Sequence, residues 1–581
     1  MRVLLLHPED SPRSGPWSRE RWDLVVDLGA STPFSRQRWE KECGCPFLCA
    51  DSFREGVADA RRVREIFAVG RGRLIDDVGL DHWELISVAF VLQALVVLQL
   101  LRLRDQIPQG AEVWCTRTDW PVNLFALLLE RPARTFDRGR PKAIAVAAHY
   151  VEVLRRFPAS QIREILLDKY DSGYKWRSRF AATLVRSHQP VVLVPSAYKN
   201  VSRMAAAYAD LLPQQRFLMI ATRESARQFV EPGNVQVRDL AAYARQSVSL
   251  SETRALQEHW SVLRKNLESS HVLRWMFAAG VFDPVPAWLD DNIRSRNAWS
   301  EVLDREPVCG VLCGDDSNRF TRMPVLLAAK RNIPTANFHH GALDGRYLYK
   351  ELPSDLYLAK SEMERDYLLR VCGLSADRVV IAPPAAEHAR PSKRSLSEAR
   401  YAVLFSEPYE AGGLRCEEVY RELLPSLWRV ARENGRELVI KLHPFESRSE
   451  RTRILKSVLP AEDARRVRVI EGSLSGELME QAWFGITVES TTVIDCLQNG
   501  VGCFLCRWMS LSPYEYAQQY LRFGVGEMLE SAEQIADIPG RLTESYRQAS
   551  VHSQAAASDP ETLRQWLARR FREPAVVRSA S

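Results

Sequence analysis

Residues 437–444 read ELVIKLHP, and residues 484–500 read FGITVESTTVIDCLQNG. In the first stretch the apolar Leu438, Val439, Ile440 and Leu442 stop at His443 and Pro444. In the second, an apolar run stops at Glu489-Ser490-Thr491-Thr492 and passes into a short helical pattern closed by Gly500. Both patterns predict buried strands that end in polar groups, as in a parallel α/β sheet, whose ligands sit at the carboxyl ends of the strands. Ser490 stands where an N-cap residue belongs, ahead of a helix to Asn499 with Gly500 beyond its end. Backbone N–H groups, the hydroxyls of Ser490, Thr491 and Thr492 and the positive helix end then converge on one point that suits an anion. A well-capped helix with no ligand accounts for the same residues.

His443 adds to this point because it ends a neighbouring strand and is expected in the same crevice. Pro444 stops the strand, and Lys441, two residues before His443, is expected on the same strand face. An imidazole there donates to a phosphate and, protonated, stabilises charge on a leaving group. Glu471 ends the strand Val467–Ile470 between the two stretches. A carboxylate at that place suits the hydroxyls of a ribose, although an exposed Glu at a strand end is also common.

Outward from this pair, further strands are expected at 401–405, 356–358 and 379–382, and helices at 416–434, 449–459 and 475–481. Upstream, VCGVLCGDD ends a buried strand at Asp315 and Asp316, and IPTANFHHG ends the next one at His339, His340 and Gly341, followed by ALDGRY with Asp344. Near the amino terminus, strands are expected at 2–6, 22–28 and 111–115, and then at 190–195 and 215–221. The region from 143 to 284 is otherwise mainly helical in pattern. A Pro- and Arg-rich piece, PPAAEHARPSKRS, marks a domain boundary near residue 395. The expected organisation is a first domain over 1–395 with a helical insertion, a second over 396–570, and a disordered tail over 571–581.

The length of 581 residues exceeds one hydrophobic core. Hydrophobic residues make up 46% and charged residues 26%, as in ordinary globular proteins. The 79 basic and 73 acidic residues leave +6, a small excess that suits an anionic ligand or membrane surface and does not call for nucleic acid. Eleven cysteines lack the paired spacing of a zinc site; Cys503 and Cys506 form a CxxC without a second pair. Reduced thiols in a cytoplasmic protein, with no metal and no cofactor, are the expectation. The amino terminus MRVLLLHPED reads as a buried strand and not as a signal peptide. The longest apolar stretch, Ile86–Leu101, is broken by Ser87, Gln93 and Gln99 and is shorter than the roughly 20 residues that cross a bilayer. It is expected as a fully buried helix, so any membrane contact would be peripheral.

The order KLHP, then Glu471 28 residues after His443, then Ser490-Thr491 47 residues after it, resembles the nucleotide-binding half of GT-B glycosyltransferases with cytidine-activated donors. The similar groups are bacterial sialyl- and polysialyltransferases, capsule Kdo transferases and CDP-glycerol glycerophosphotransferases. The resemblance covers about residues 305–505. It implies two Rossmann-like, doubly wound parallel-sheet domains facing a cleft, with the donor bound in it. By this likeness His443 and Ser490 with Thr491 hold the donor phosphate, and Glu471 holds the ribose. His340 and Gly341 match a His-Gly of the glycerophosphotransferases and capsule enzymes. Asp344-Gly345 matches only the last part of an acidic-acidic-Gly motif, so the acceptor base lies among His340, Asp344, Asp315 and Asp316.

The implied activity is metal-independent, inverting transfer of a sugar or polyol phosphate from a nucleotide-activated donor, CMP- or CDP-linked, to a glycan or lipid-linked acceptor at the cell surface. A cytoplasmic protein, peripheral at the inner membrane face, fits that role. Two alternatives stand beside it. One is a non-hydrolysing UDP-sugar 2-epimerase, disfavoured because Glu489-Ser490-Thr491-Thr492 stands where those enzymes resemble a Ser-Gly-Gly. The other is a non-catalytic protein of the same fold that binds nucleotide or glycan.

Overall fold

The computed structural model describes residues 1–12, 15–118, 120–136, 189–244, 249–343, 345–384, 396–472, 474–509 and 514–542. Asp344, the expected tail 571–581, most of the Pro- and Arg-rich piece and the first part of the expected helical region after residue 143 lie outside the described residues.

The described chain is α/β, and it forms three wholly parallel sheets where two were expected. The first contains β1 (Arg2–Leu6), β2 (Leu24–Asp27), β3 (Phe47–Cys49), β4 (Glu112–Cys115) and β5 (Ala133–Thr135), in the order β3-β2-β1-β4-β5. The second contains β6 (Val191–Ser196), β7 (Arg216–Ala221), β8 (Val235–Asp239), β9 (Val308–Cys313), β10 (Thr335–Asn337), β11 (Leu356–Ala359) and β12 (Val379–Ile381), in the order β12-β11-β10-β9-β6-β7-β8. The third contains β13 (Tyr401–Phe405), β14 (Glu437–Lys441), β15 (Arg468–Ile470), β16 (Ala482–Thr487), β17 (Gly502–Cys506) and β18 (Glu527–Leu529), in the order β15-β14-β13-β16-β17-β18.

Counted from its own first strand, each sheet has the same doubly wound order, 3-2-1-4-5, extended by one or two strands in the second and third. The winding reverses between the first and fourth strands, and that reversal opens a crevice at their carboxyl ends. In the third sheet the crevice lies between β13 and β16. Its strands are apolar on both faces because helices cover both, so Leu438, Val439 and Ile440 of β14 and Phe484 and Ile486 of β16 are all fully buried.

The chain divides into two compact units. One comprises Met1–Gly56, Val96–Ile162 and Ala389–Ala555 and so carries the first and third sheets; the other, with Val57–Leu95 and Arg163–His388, carries the second. Residues 1–395, expected as one domain, thus hold two sheets, and the first of them belongs with the carboxyl-terminal sheet. Within that unit, Arg415, at the start of helix Cys416–Glu433, donates to both carboxylate oxygens of Asp27, at 2.7 and 2.9 Å. Trp39 donates to Glu418 at 2.8 Å and Thr32 to Glu422 at 2.8 Å. The polar end of β2 therefore packs on the start of that helix.

One sequence expectation is corrected. The apolar stretch from Ile86 is not one fully buried helix: helices His82–Ile86 and Val91–Arg104 meet at a 55° bend, with a 3-10 turn at Ser87–Ala89. Phe90 anchors the break by stacking on Trp288 at 5.1 Å, and Leu92 is left 67% exposed. No single helix among the described residues is long and apolar enough to cross a membrane. The CxxC of Cys503 and Cys506 lies within β17, where residues three apart face opposite sides of the sheet and do not converge.

Candidate active site

The strand ends of the third sheet bring four groups into line along its carboxyl edge: Glu471 after β15, His443 after β14, residues 406–407 after β13 and residues 488–492 after β16. Neighbouring strands lie about 4.8 Å apart, so His443 and the Ser490 turn are separated by two spacings, roughly 10 Å. That gap straddles the crevice where the winding reverses.

His443 is held in one tautomer. The Phe445 N–H donates to its Nδ1 at 3.2 Å, so the ring proton sits on Nε2. Nε2 meets no partner among the described residues and is left as a donor. Burial, aided by the charge of Lys441, lowers the His443 pKa and keeps the ring neutral at physiological pH. Its backbone is fixed by Glu446, whose Oε2 accepts the His443 N–H at 2.7 Å while Oε1 accepts from Ser406 Oγ at 2.8 Å and Arg451 Nε at 2.7 Å. Phe445 extends beside the ring and is 73% exposed.

Lys441 does not point at the same place. Its Nζ is buried and donates to the carbonyls of Leu442 and Gly472, each at 2.7 Å, tying the end of β14 to the turn after β15. Glu471 is exposed, and one of its carboxylate oxygens accepts the Arg448 N–H at 3.1 Å, the first residue of helix Arg448–Val458. The other oxygen has no hydrogen-bond partner among the described residues. Pro444 is exposed at the start of the turn after β14.

The turn after β16 departs from its expected form. The helix runs Thr492–Gln498 with Thr491, not the expected Ser490, at its N-cap and no side-chain cap bond; the Ser490 hydroxyl accepts the Thr492 N–H at 3.3 Å in the turn ahead of it. Gly500 follows the helix end with φ 67°, the left-handed conformation that glycine adopts without strain. The N–H groups before Ser490 are not free. Glu407 Oε1 accepts from the Val488 N–H at 2.9 Å, the Glu489 N–H at 3.0 Å and the Thr487 hydroxyl at 2.6 Å. Burial raises the Glu407 pKa against the pull of these donors. What faces outward is the Ser490 hydroxyl, half-buried Thr491 and the first turn of the helix; Thr492 Oγ1 is buried without a partner.

The second sheet gathers its own group at its reversal point, between β6 and β9. His340 follows β10; its ring lies 6.5 Å from that of Tyr198, which follows β6 and whose hydroxyl accepts from Asn318 at 3.2 Å. Burial, with the Arg346 charge, lowers the His340 pKa, and Asp315 pulls it the other way, which places that carboxylate near the ring. Asp316 is separate: only 2% exposed, it pairs with Lys350 and lies 3.5 Å from Arg322, so it is a buried structural ion pair and not an available base. His339 is also turned inward, its Nε2 on Glu364 at 3.0 Å. Gly341 lends its carbonyl to Lys360 Nζ at 3.2 Å. The acids Asp76, Asp77 and Glu252 have spacing that suits a cation, but Arg296 already donates to all three.

Two residues at the first crevice escaped the sequence reading. Glu407 lies in SEPYE and Glu446 in HPFE, and only the second had a local signal, an acid three residues after a strand-ending His. A repeat was also legible: LLLHP at 4–8 ends β1 as IKLHP ends β14. His7 has the same tautomer lock, accepting the Glu9 N–H on Nδ1 at 3.1 Å, but its Nε2 is taken by the Trp120 carbonyl at 3.1 Å.

No protein-family model matches the chain, and no curated protein matches its sequence. Among solved structures, the UDP-GlcNAc 2-epimerase of Neisseria meningitidis bound to UDP-GlcNAc is similar with a TM-score of 0.41 and 14% identity, over 66% of this chain and 99% of that one. A glycosyltransferase from Rickettsia africae gives 0.40 and 10%, over 66% and 95%. The calicheamicin glycosyltransferase CalG4 gives 0.39 and 12%, over 67% and 100%. At these scores the strand orders themselves, and not the neighbours, carry the description of the fold.

Proposed function

We propose that this chain is a GT-B-type glycosyltransferase that moves a sugar, or a polyol phosphate, from a cytidine-activated donor to a cell-surface glycan or lipid-linked acceptor. The observation that carries the reading is His443: a neutral imidazole with its Nε2–H unspent, at a strand end beside the reversal point of a doubly wound sheet and two strands from the Ser490-Thr491-Thr492 turn. A donor phosphate between them receives the His443 proton donor on one side and the Ser490 and Thr491 hydroxyls on the other. Glu471 offers its open carboxylate oxygen to the ribose.

In sugar transfer, the bond from the anomeric carbon to the phosphate oxygen breaks, with its electron pair leaving on the nucleotide, while the acceptor oxygen bonds to that carbon from the opposite face; in polyol-phosphate transfer the acceptor oxygen bonds to phosphorus instead and the nucleoside monophosphate leaves. The charge that grows on the leaving phosphate is where a fixed Nε2–H donor gains strength. The acceptor oxygen gives up its proton to a general base as it attacks. Work at the cytoplasmic face of a membrane is part of this reading.

Replacing His443 with Ala is expected to slow turnover by roughly 100- to 1,000-fold. The check is mass spectrometry of products from CMP-, CDP- and UDP-activated sugars with wild type and variant. An epimerised nucleotide sugar would replace this reading with 2-epimerisation, and no product together with nucleotide binding would leave a binding protein.

A further inference from the structure

The anion-binding turn of the third sheet already holds an anion. Glu407 follows β13, the strand at the centre of the sheet, and the crevice opens between that strand and β16. Three donors from the end of β16 converge on one of its oxygens, Oε1: the Thr487 hydroxyl and the Val488 and Glu489 N–H groups. Three donors on a single oxygen match an ionised carboxylate, which accepts only. The Ser490 N–H adds a further backbone hydrogen bond to the same carboxyl. In a doubly wound sheet this is where backbone N–H groups ordinarily take a nucleotide's phosphates.

We infer that Glu407 is a specificity-determining residue that stands in for one phosphate, so that the crevice accepts donors linked through a single phosphate and disfavours those linked through two. This rests on the reading of the His443 and Ser490 crevice as a donor-phosphate site. The physical basis is charge. A second phosphate adds at least one negative charge next to a carboxylate already neutralised by local donors that it does not release. Two like charges about 5 Å apart in a partly buried setting repel strongly enough to change affinity by tenfold or more. The Val488 and Glu489 N–H groups that would offset that charge are spent on Oε1. Ser490, Thr491 and His443 remain, enough for one phosphate group and its leaving charge.

The test is isothermal titration of the full chain with CMP against CDP and UMP against UDP, on wild type and on Glu407→Gln. The amide keeps the size of the side chain and its Oε1 acceptor but carries no charge. Wild type is expected to bind the diphosphate no more tightly than the monophosphate of the favoured base. Glu407→Gln is expected to raise diphosphate affinity by about tenfold or more relative to the monophosphate. A wild type that binds the diphosphate tenfold more tightly than the monophosphate would overturn the inference, even if the variant fails to fold. So would a folded variant with an unchanged ratio. If neither protein binds any of the four nucleotides, the donor-site reading itself falls, and that outcome is distinct from the other two.

Discussion

His339 and Glu364 stand 3.0 Å apart in a buried pair beside the His340 cluster. Burial pushes the His339 pKa from 6.5 down to about 4, and the neighbouring His339 and Lys360 hold the Glu364 carboxyl below its ordinary range despite its own burial. The unfolded chain takes up a proton on this histidine near pH 6.5 and the folded chain does not until about pH 4. Stability from His339 is therefore whole above pH 6.5 and lost as pH falls toward 4, and the depressed Glu364 extends the loss further into acid. Between pH 7 and pH 5 the wild type is expected to lose about 2 kcal/mol to this group. Urea midpoints at the two pH values check it, and His339→Gln should flatten that part of the profile. The same scale explains what could be read in advance. His443, Glu471 and Ser490 each end an apolar run, and a strand end is visible in the sequence itself. Glu407 was invisible because its donors lie 80 to 82 residues away in sequence, and nothing local marks a carboxylate whose partners arrive with another strand. Lys441 was placed on the correct strand but given the wrong task. Alternation predicts a side of the sheet, not that a buried ammonium at a strand end will turn back onto backbone carbonyls.

Strand β16 carries the Ser490 turn, and its position depends on Gly485. A Cβ at that residue would lie 2.6 Å from Phe405 Cε2, 3.0 Å from Cys496 Sγ and 3.2 Å from Cys503 Sγ, so β13, β17 and the helix Thr492–Gln498 all close on the same spot. Gly485→Ala is expected to destabilise by about 1–3 kcal/mol through overpacking and to weaken nucleotide binding by moving that helix. Thermal melting with and without the nucleotide separates the two effects. β1 and β13 have the limits their apolar runs predict, whereas β14 stops at Lys441 and β9 at Cys313, short of the His443 and Asp315 at which their ends were expected. β3, β5 and β18 escaped because three residues are too few to display a period of two, whereas the equally short β10, β12 and β15 were legible from the longer apolar runs that hold them. β8 and β17 escaped for another reason: VQVRD carries charge at the strand end, and GCFLC reads first as a thiol motif.

On the scale of the molecule, α/β architecture followed from strands that alternate with helices and end in polar turns. The number of sheets did not, because the first and third belong to one unit although more than 250 residues separate β5 from β13 in the chain. One of the contacts that join them is the bidentate pair of Arg415 with fully buried Asp27. Replacing Arg415 with Met leaves that carboxylate buried and unpaired and is expected to cost about 3–5 kcal/mol, read as a lower urea midpoint. Adding Asp27→Asn should recover part of the loss. The pair spans 388 residues of sequence. At 5 to 20 residues per second, a ribosome takes roughly 20 to 80 s to make the arginine after it has made the aspartate. For that interval the nascent first sheet carries a carboxylate whose partner does not yet exist. The amino-terminal sheet is thus the earliest part of its unit to be made, and among the last to be completed.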